Sequence, residues 1–209
     1  ASFFFRLPTS LYEFRFIYKT RQIADLSIFY DPKNPLSLPR VSNLTDINSR
    51  HLALIYREYR LRDFNSVLDV GCGTGFLLNS LSKINNGNKN VSYCGIDYQL
   101  DSSQKSQTDV QYIEGDLLQV LKDLPDSCFQ LVSCCHVLEH VISPFETMVE
   151  LRRVCSGSLI IVCPLEKEYH WGLNYHVNFF PDLGHFVKFV ESGNAKQSIA
   201  SAYYPSLGD

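Results

Sequence analysis

At 209 residues, with 45% hydrophobic and 20% charged residues, the chain has the length and composition of one well-buried globular domain. A net charge of −3 and a pI near 6.1 give no overall basic footprint for nucleic acid, and no apolar run approaches membrane-spanning length. The seven cysteines are odd in number, lie mostly inside apolar runs and form no C-x-x-C pair, which disfavours a disulfide framework or a cysteine zinc site and points to free thiols in a reducing, cytoplasmic compartment.

From the N-terminus, Ser10 to Phe29 spaces Leu11, Phe14, Ile17, Tyr18, Ile23, Leu26 and Ile28 in an approximately helical pattern. Two readings stand for it: a helix packed on one face of a sheet, which is favoured, or a lid over a ligand site. Asp31 to Pro39 holds three of the nine prolines and is expected to be a connecting loop. Residues 1–45 thus form an N-terminal helical extension, and residues 46–209 the main domain. Its first element is a helix over Asp46 to Leu61, with Thr45 or Asp46 as cap and Leu52, Ile55, Tyr56 and Tyr59 on one side.

The stretch Val67 to Leu78, VLDVGCGTGFLL, organises the rest of the chain. An apolar run ends on Gly71, Gly73 and Gly75 at every second position and then resumes, which predicts a buried strand, a glycine turn and a helix start. Glycines there let the backbone turn sharply and let a ligand approach the main chain, while amides at the helix start offer donors. Phe76 occupies the third glycine position of the dinucleotide pattern, which argues against a nicotinamide cofactor. D-V-G-C-G-T-G resembles the cofactor loop of class I S-adenosylmethionine-dependent methyltransferases, and the likeness runs from about Asn65 to Pro164. The resemblance implies a Rossmann-like α/β fold, a mostly parallel sheet with helices on both faces. It also implies S-adenosylmethionine as cofactor, with Gly71, Cys72, Gly73 and Gly75 under its methionine part and Asp69 near its ammonium.

The helix from Phe76 ends in the polar loop Asn85 to Asn90, and Val91 to Ile96 is the second strand, closing on Asp97. Asp97 lies 22 residues beyond Gly75, where a carboxylate can accept hydrogen bonds from a ribose diol; the bland alternative is a cap or turn residue. Tyr98 could contact the ribose or adenine or be an ordinary strand-end aromatic. Asp101 to Thr108 suggests a short helix and Val110 to Ile113 a third strand, followed by Gly115-Asp116. The resemblance places Asp116 at the adenine amino group and the amide of Leu117 at the ring edge, although G-D after a strand is also a common turn.

Cys128 to Val141 is expected to be the fourth strand running through Cys135, also assigned to the cofactor site, into a loop and helix. Gln130 departs from the acid usual in the family and is read as structural. Pro144 sits in the first turn of a helix with Met148, Leu151 and Val154, and Val154 to Pro164 reads as helix end, glycine break and fifth strand. Phe179 to Glu191 predicts a helix stopped at Gly193, and Ser198 to Tyr204 one last strand. The resembled fold normally closes with a two-stranded hairpin, so either the end is abbreviated or the segment from Tyr169 to Phe180 is extended.

His136-Val-Leu-Glu139-His140 admits three readings. It matches the H-x-x-E-H pattern of inverted zinc proteases, which needs a long helix that the preceding strand and Pro144 do not allow. By resemblance, E-x-x-E-H with a later histidine is the metal site of small-RNA terminal 2′-O-methyltransferases and ubiquinone-pathway O-methyltransferases. Glu139 and His140 match it, His136 replaces the first glutamate, and His176 would be the later histidine. The favoured reading has no metal: many class I enzymes carry this turn, and His136, Glu139 and His140 serve the acceptor, with a histidine as base. His170, Trp171 and Tyr175 either complete an acceptor wall or are core. The sequence thus predicts a methyltransferase for a small-molecule or sugar-like acceptor, at oxygen, with nucleic acid and membrane disfavoured as partners.

Overall fold

The computed structural model describes residues 47, 49–85, 90–106, 108–168 and 175–192. The expected extension over residues 1–45, the caps at Thr45 and Asp46, His170, Trp171, Gly193 and the strand over Ser198 to Tyr204 lie outside these residues. Five strands, β1 (Ser66–Val70), β2 (Ser92–Asp97), β3 (Gln111–Glu114), β4 (Phe129–Cys135) and β5 (Cys155–Val162), form a parallel sheet in the order β3-β2-β1-β4-β5. The helices are α1 (Ser49–Leu61), α2 (Phe76–Ile84), α3 (Ser102–Lys105), α4 (Leu117–Asp123), α5 (Pro144–Val154) and α6 (Leu183–Glu191). The chain winds outward from β1 to β3 and then crosses back to β4, so the order reverses between β1 and β4, where such sheets hold ligands beyond the strand carboxyl ends.

Both faces of the sheet are covered, which is why its central strands read as continuous apolar runs and not as alternation. Val67, Tyr93 and Leu131 pack with Ile55 and Tyr59 of α1 and Leu77, Leu78 and Leu81 of α2. Leu68, Val70, Ile96 and Val132 pack on the other face with Leu121 of α4 and Met148, Leu151 and Val154 of α5. The tyrosine hydroxyls of α1 and β2 satisfy each other: Tyr59 and Tyr93 are 2.5 Å apart. Local signals set the helix starts. Asp101 forms a capping box with Gln104, Asp116 and Asp182 accept from the amides of Gln119 and His185, and Pro144 opens α5 without needing a donor.

The fourth strand runs, as expected, into a loop, with residues 138–140 in a turn and helix beginning at Pro144. Two sequence expectations change. Gly157 is no break but lies inside β5, at a register shift opposite Phe129 and Leu131, where a Cβ would come 2.3 Å from the Gln130 carbonyl oxygen. The last helix starts at Leu183, not Phe179, because residues 175–181 run as an extended strap whose bonds go to the turn at 138–141. Gln130 is structural as expected: its side-chain carbonyl accepts from the Asn65 amide, tying the start of β1 to β4. Among the described residues no helix is long and apolar enough to cross a membrane.

Candidate active site

The glycine loop leaves β1 with two amides, of Gly71 and Cys72, donating to the Ile96 carbonyl of β2, and Gly75 N–H closes it on the Cys72 carbonyl. Gly71 and Gly73 have φ of +73° and +53°, in the left-handed region that suits glycine. They are glycine for different reasons. A Cβ at Gly71 would lie 2.2 Å from a methyl of Val137, whereas one at Gly73 would meet nothing within 4 Å. Gly71 is a packing glycine, and Gly73 keeps open the surface that a ligand would face.

Around this loop stand the carboxylates named from sequence. Asp97, at the end of β2, accepts from the amides of Gly73 (2.7 Å) and Gln99 (3.3 Å). Asp69 is 4% exposed, and its carboxylate accepts from Ser133 Oγ of β4 at 2.7 Å. Burial pushes its pKa up to about 7, against the Ser133 hydrogen bond and with help from Asp97. Asp116 is exposed and caps α4, whose first residue is Leu117, so the acid read for adenine also has a local structural task. Tyr98 is half-buried just past β2, and Cys72 and Cys135 are buried, one in the loop and one at the end of β4. Gln104, 1% exposed, was not singled out from sequence; its side-chain amide donates to the Gly73 carbonyl and braces the loop from α3.

Across the switch point, β4 is followed by His136, held at φ 57° with its amide donating to the Val162 carbonyl. A non-glycine residue in that region is strained, and such strain concentrates at functional sites. His136 Nδ1 lies 3.4 Å from Glu139 Oε1, and Glu139 is 1% exposed. Burial would raise the Glu139 carboxyl, but the His136 hydrogen bond and the charges of His140 and His136 outweigh it and hold the group below its usual value. Burial pushes the His140 imidazole below its ordinary value, with Glu139 opposing and His176 reinforcing. His140 Nδ1 is 3.3 Å from the Tyr175 carbonyl, and the His140 and His176 rings meet edge to face at 4.8 Å. His176 also pairs with Glu166. Ligand atoms of Glu139, His140 and His176 lie within 4.8 Å of one another, a group that could hold a metal ion.

The strap fixes this turn. Val177 and Asn178 donate backbone amides to the Glu139 carbonyl at 2.8 and 3.1 Å, and the Asn178 side-chain amide reaches the carbonyls of Leu138 (2.8 Å) and Val141 (2.6 Å). Carbonyls that would accept from the next helical turn are thereby taken, which explains why His136 to His140 does not form a helix. A cleft of about 430 Å³ opens beside the strap, lined by Phe145, Lys167, Asn178, Phe179 and Phe189 among others. Sequence reading also missed His51 of α1, whose imidazole is lowered by burial and by the charge of His136. Neither His51 nor Asn178 carries a local motif; each acts on residues distant in the chain.

Residues 68–162 match the family described as "Methyltransferase domain". That match, to a methyltransferase domain, spans just under half of the chain. Among curated proteins, the domain is similar to a ubiquinone biosynthesis O-methyltransferase of Paracidovorax citrulli, 29% identical over 119 residues. That match covers 53% of this chain and 41% of the relative, so the chain spans about two fifths of the relative's length. Its fold resembles the plantazolicin methyltransferase BpumL, solved with a monoazolic desmethylPZN analog and SAH, at a TM-score of 0.56 and 19% identity, over 88% of this chain and 78% of that one. It also resembles a SAM-dependent methyltransferase from Aquifex aeolicus, at a TM-score of 0.50 and 20% identity, over 82% and 85% of the two chains. The loop of the methyltransferase domain fits the family's cofactor: the open face at Gly73, beside an oriented Asp97, is a cradle that any larger residue would fill.

Proposed function

We propose that this domain transfers a methyl group from S-adenosylmethionine to an oxygen of a small-molecule or sugar-like acceptor. The observation that carries the reading is the pairing, across one switch point, of an open glycine loop beside Asp97 with the strained turn of His136, Glu139 and His140. On this reading Gly71, Cys72, Gly73 and Gly75 border the methionine part and Asp69 its ammonium. Asp97 and Tyr98 hold the ribose, Asp116 and Leu117 border the adenine, and Cys135 forms the floor between the two halves. On this reading the domain comprises residues 46–209, with residues 1–45 as an extension to it. The O-methyltransferase name of the curated relative supports oxygen as the target.

When bound, S-adenosylmethionine supplies a methyl on a positively charged sulfur, already activated for attack. The chain's own task is then to order the acceptor, which can contribute ~7–11 kcal/mol, and to remove a hydroxyl proton. His140 is suited to the second part. With Nδ1 directed at the Tyr175 carbonyl, Nδ1 carries the proton and Nε2 keeps the lone pair, and burial favours the neutral ring. His136, paired with Glu139, is the other candidate base, and Glu139 orients it.

Labelled S-adenosylmethionine incubated with purified protein and fractionated metabolite pools tests this, with transfer to an oxygen expected. Stabilisation by NAD and not by S-adenosylmethionine would overturn the cofactor assignment; binding without any transfer would leave a cofactor-binding protein. A second reading, metal-assisted transfer to an RNA 2′-oxygen, is favoured by the cluster of Glu139, His140 and His176 and opposed by the net charge of −3. Full activity in excess chelator removes it, whereas loss restored by a divalent ion, mimicked by His176→Ala, establishes it.

A further inference from the structure

Asp69 is a buried carboxylate with no ion-pair partner among the described residues. It sits at the carboxyl end of β1, enclosed between β2 and β4 and beneath the glycine loop, and is 4% exposed. The side chain that donates to it is a neutral hydroxyl, Ser133 Oγ. No Lys, Arg or His among the described residues forms an ion pair with it. The titratable groups that face it are the Cys72 thiol of the loop, Asp97 of β2, Tyr112 of β3 and the thiols of Cys134 and Cys135 of β4, each neutral or anionic when it titrates. A carboxylate taken out of water with no cation beside it is costly as an anion and keeps its proton instead.

We propose that Asp69 holds a proton in the ligand-free protein and releases it when an S-adenosyl ligand brings its ammonium beneath the glycine loop. The proton leaves Asp69 for solvent, and the ligand's positive charge takes its place, so the buried site stays neutral before and after binding. Asp69 thereby becomes a specificity-determining residue: it selects ligands that carry the amino-acid ammonium over nucleosides that lack it. The inference rests on the cofactor reading above and adds a proton to it. The placement of the residue's pKa near 7 agrees, since it puts the exchange within the physiological range.

The test is calorimetric titration of the full chain with S-adenosylhomocysteine in buffers of different ionisation enthalpy. At about pH 6 close to one proton per ligand should be released, and between about pH 7 and pH 5.5 affinity should fall about tenfold per pH unit, as one linked proton requires. 5′-Methylthioadenosine, the same nucleoside thioether without the ammonium, should bind with no proton released. Asp69→Asn, which keeps an acceptor for Ser133 but cannot ionise, should abolish release and flatten the pH dependence. Binding of S-adenosylhomocysteine with no proton exchange in the unmodified protein overturns the inference while leaving the cofactor reading intact. So does release persisting in Asp69→Asn, or equal release with 5′-methylthioadenosine. No binding at any pH between 6 and 8 sinks the cofactor reading and this inference together.

Discussion

Replacing Asn178 by Ala removes the two side-chain donors that hold the turn at residues 138–141, and its cost can be worked from their surroundings. Leu138 is fully buried, so its carbonyl, now at 2.8 Å from Asn178 Nδ2, has no water to turn to. An unsatisfied buried acceptor costs about 1–3 kcal/mol, and the lost bond to the carbonyl of the half-buried Val141 a further ~0.5–1.5 kcal/mol. The sum, about 1.5–4.5 kcal/mol, corresponds in a chain of 209 residues to a fall in Tm of roughly 3–18 °C. Urea unfolding of ligand-free protein measures it directly. Asn178→Asp should be at least as damaging although it is isosteric, because a carboxylate presents only acceptors to two carbonyls. A destabilisation below about 0.5 kcal/mol, the range of an ordinary surface change, would refute the claim that these bonds shape the turn.

Two of the three loop glycines should respond in opposite ways. Gly73→Leu, with open space at its Cβ, should lose only the left-handed backbone cost of about 1–2 kcal/mol yet abolish the Tm rise caused by S-adenosylhomocysteine; Gly71→Ala should lose more stability through Val137. Asp69 should weigh on the free protein: a carboxyl raised from 3.8 to about 7, roughly three units, leaves the folded state holding more protons than the unfolded, so stability falls as pH rises from about 4 to 7. Asp69→Asn should remove that fall, with a gain at pH 8 of at most ~4 kcal/mol in paired denaturant titrations; equal slopes for the two proteins would refute it. His140→Asn should lower turnover by about 10²–10⁴-fold and remove the acid limb of the rate profile, a limb expected below the ordinary imidazole value, while leaving the ligand-induced Tm shift unchanged.

How legible each feature is in the chain depends on the range over which it is encoded. β1, its glycine loop and α2 lie within one stretch, and backbone turns of that kind demand glycine wherever they occur, so Val67 to Leu78 announces them. The acidic caps Asp101 and Asp116 are equally local, each acting on an amide three residues on. Gly157 misled because a glycine beside a strand signals a break as readily as a bulge, and only its close approach to Gln130 separates the two. Phe179 and Phe180 extend the apolar pattern of α6 backwards, but their backbone belongs to the strap: Glu166 N–H donates to the Phe180 carbonyl, and Phe180 packs on Phe186 and Phe189 from outside the helix.

The two halves of the candidate site therefore differ in kind. The glycine-loop half is built mainly of backbone, whose requirements reduce to residue types at fixed spacing. The other half is built of side chains brought together across the chain. Asn178 reaches partners 37 and 40 residues away, and His51, on a helix that precedes the sheet, feels the charge of His136. A strained His136 holds its position only while its surroundings over-determine it, and here they do so from three directions: the Val162 carbonyl, Glu139 and the strap that fixes Glu139. Changes in the strap should consequently alter the turn without touching the glycine loop, so the two halves are free to diverge separately.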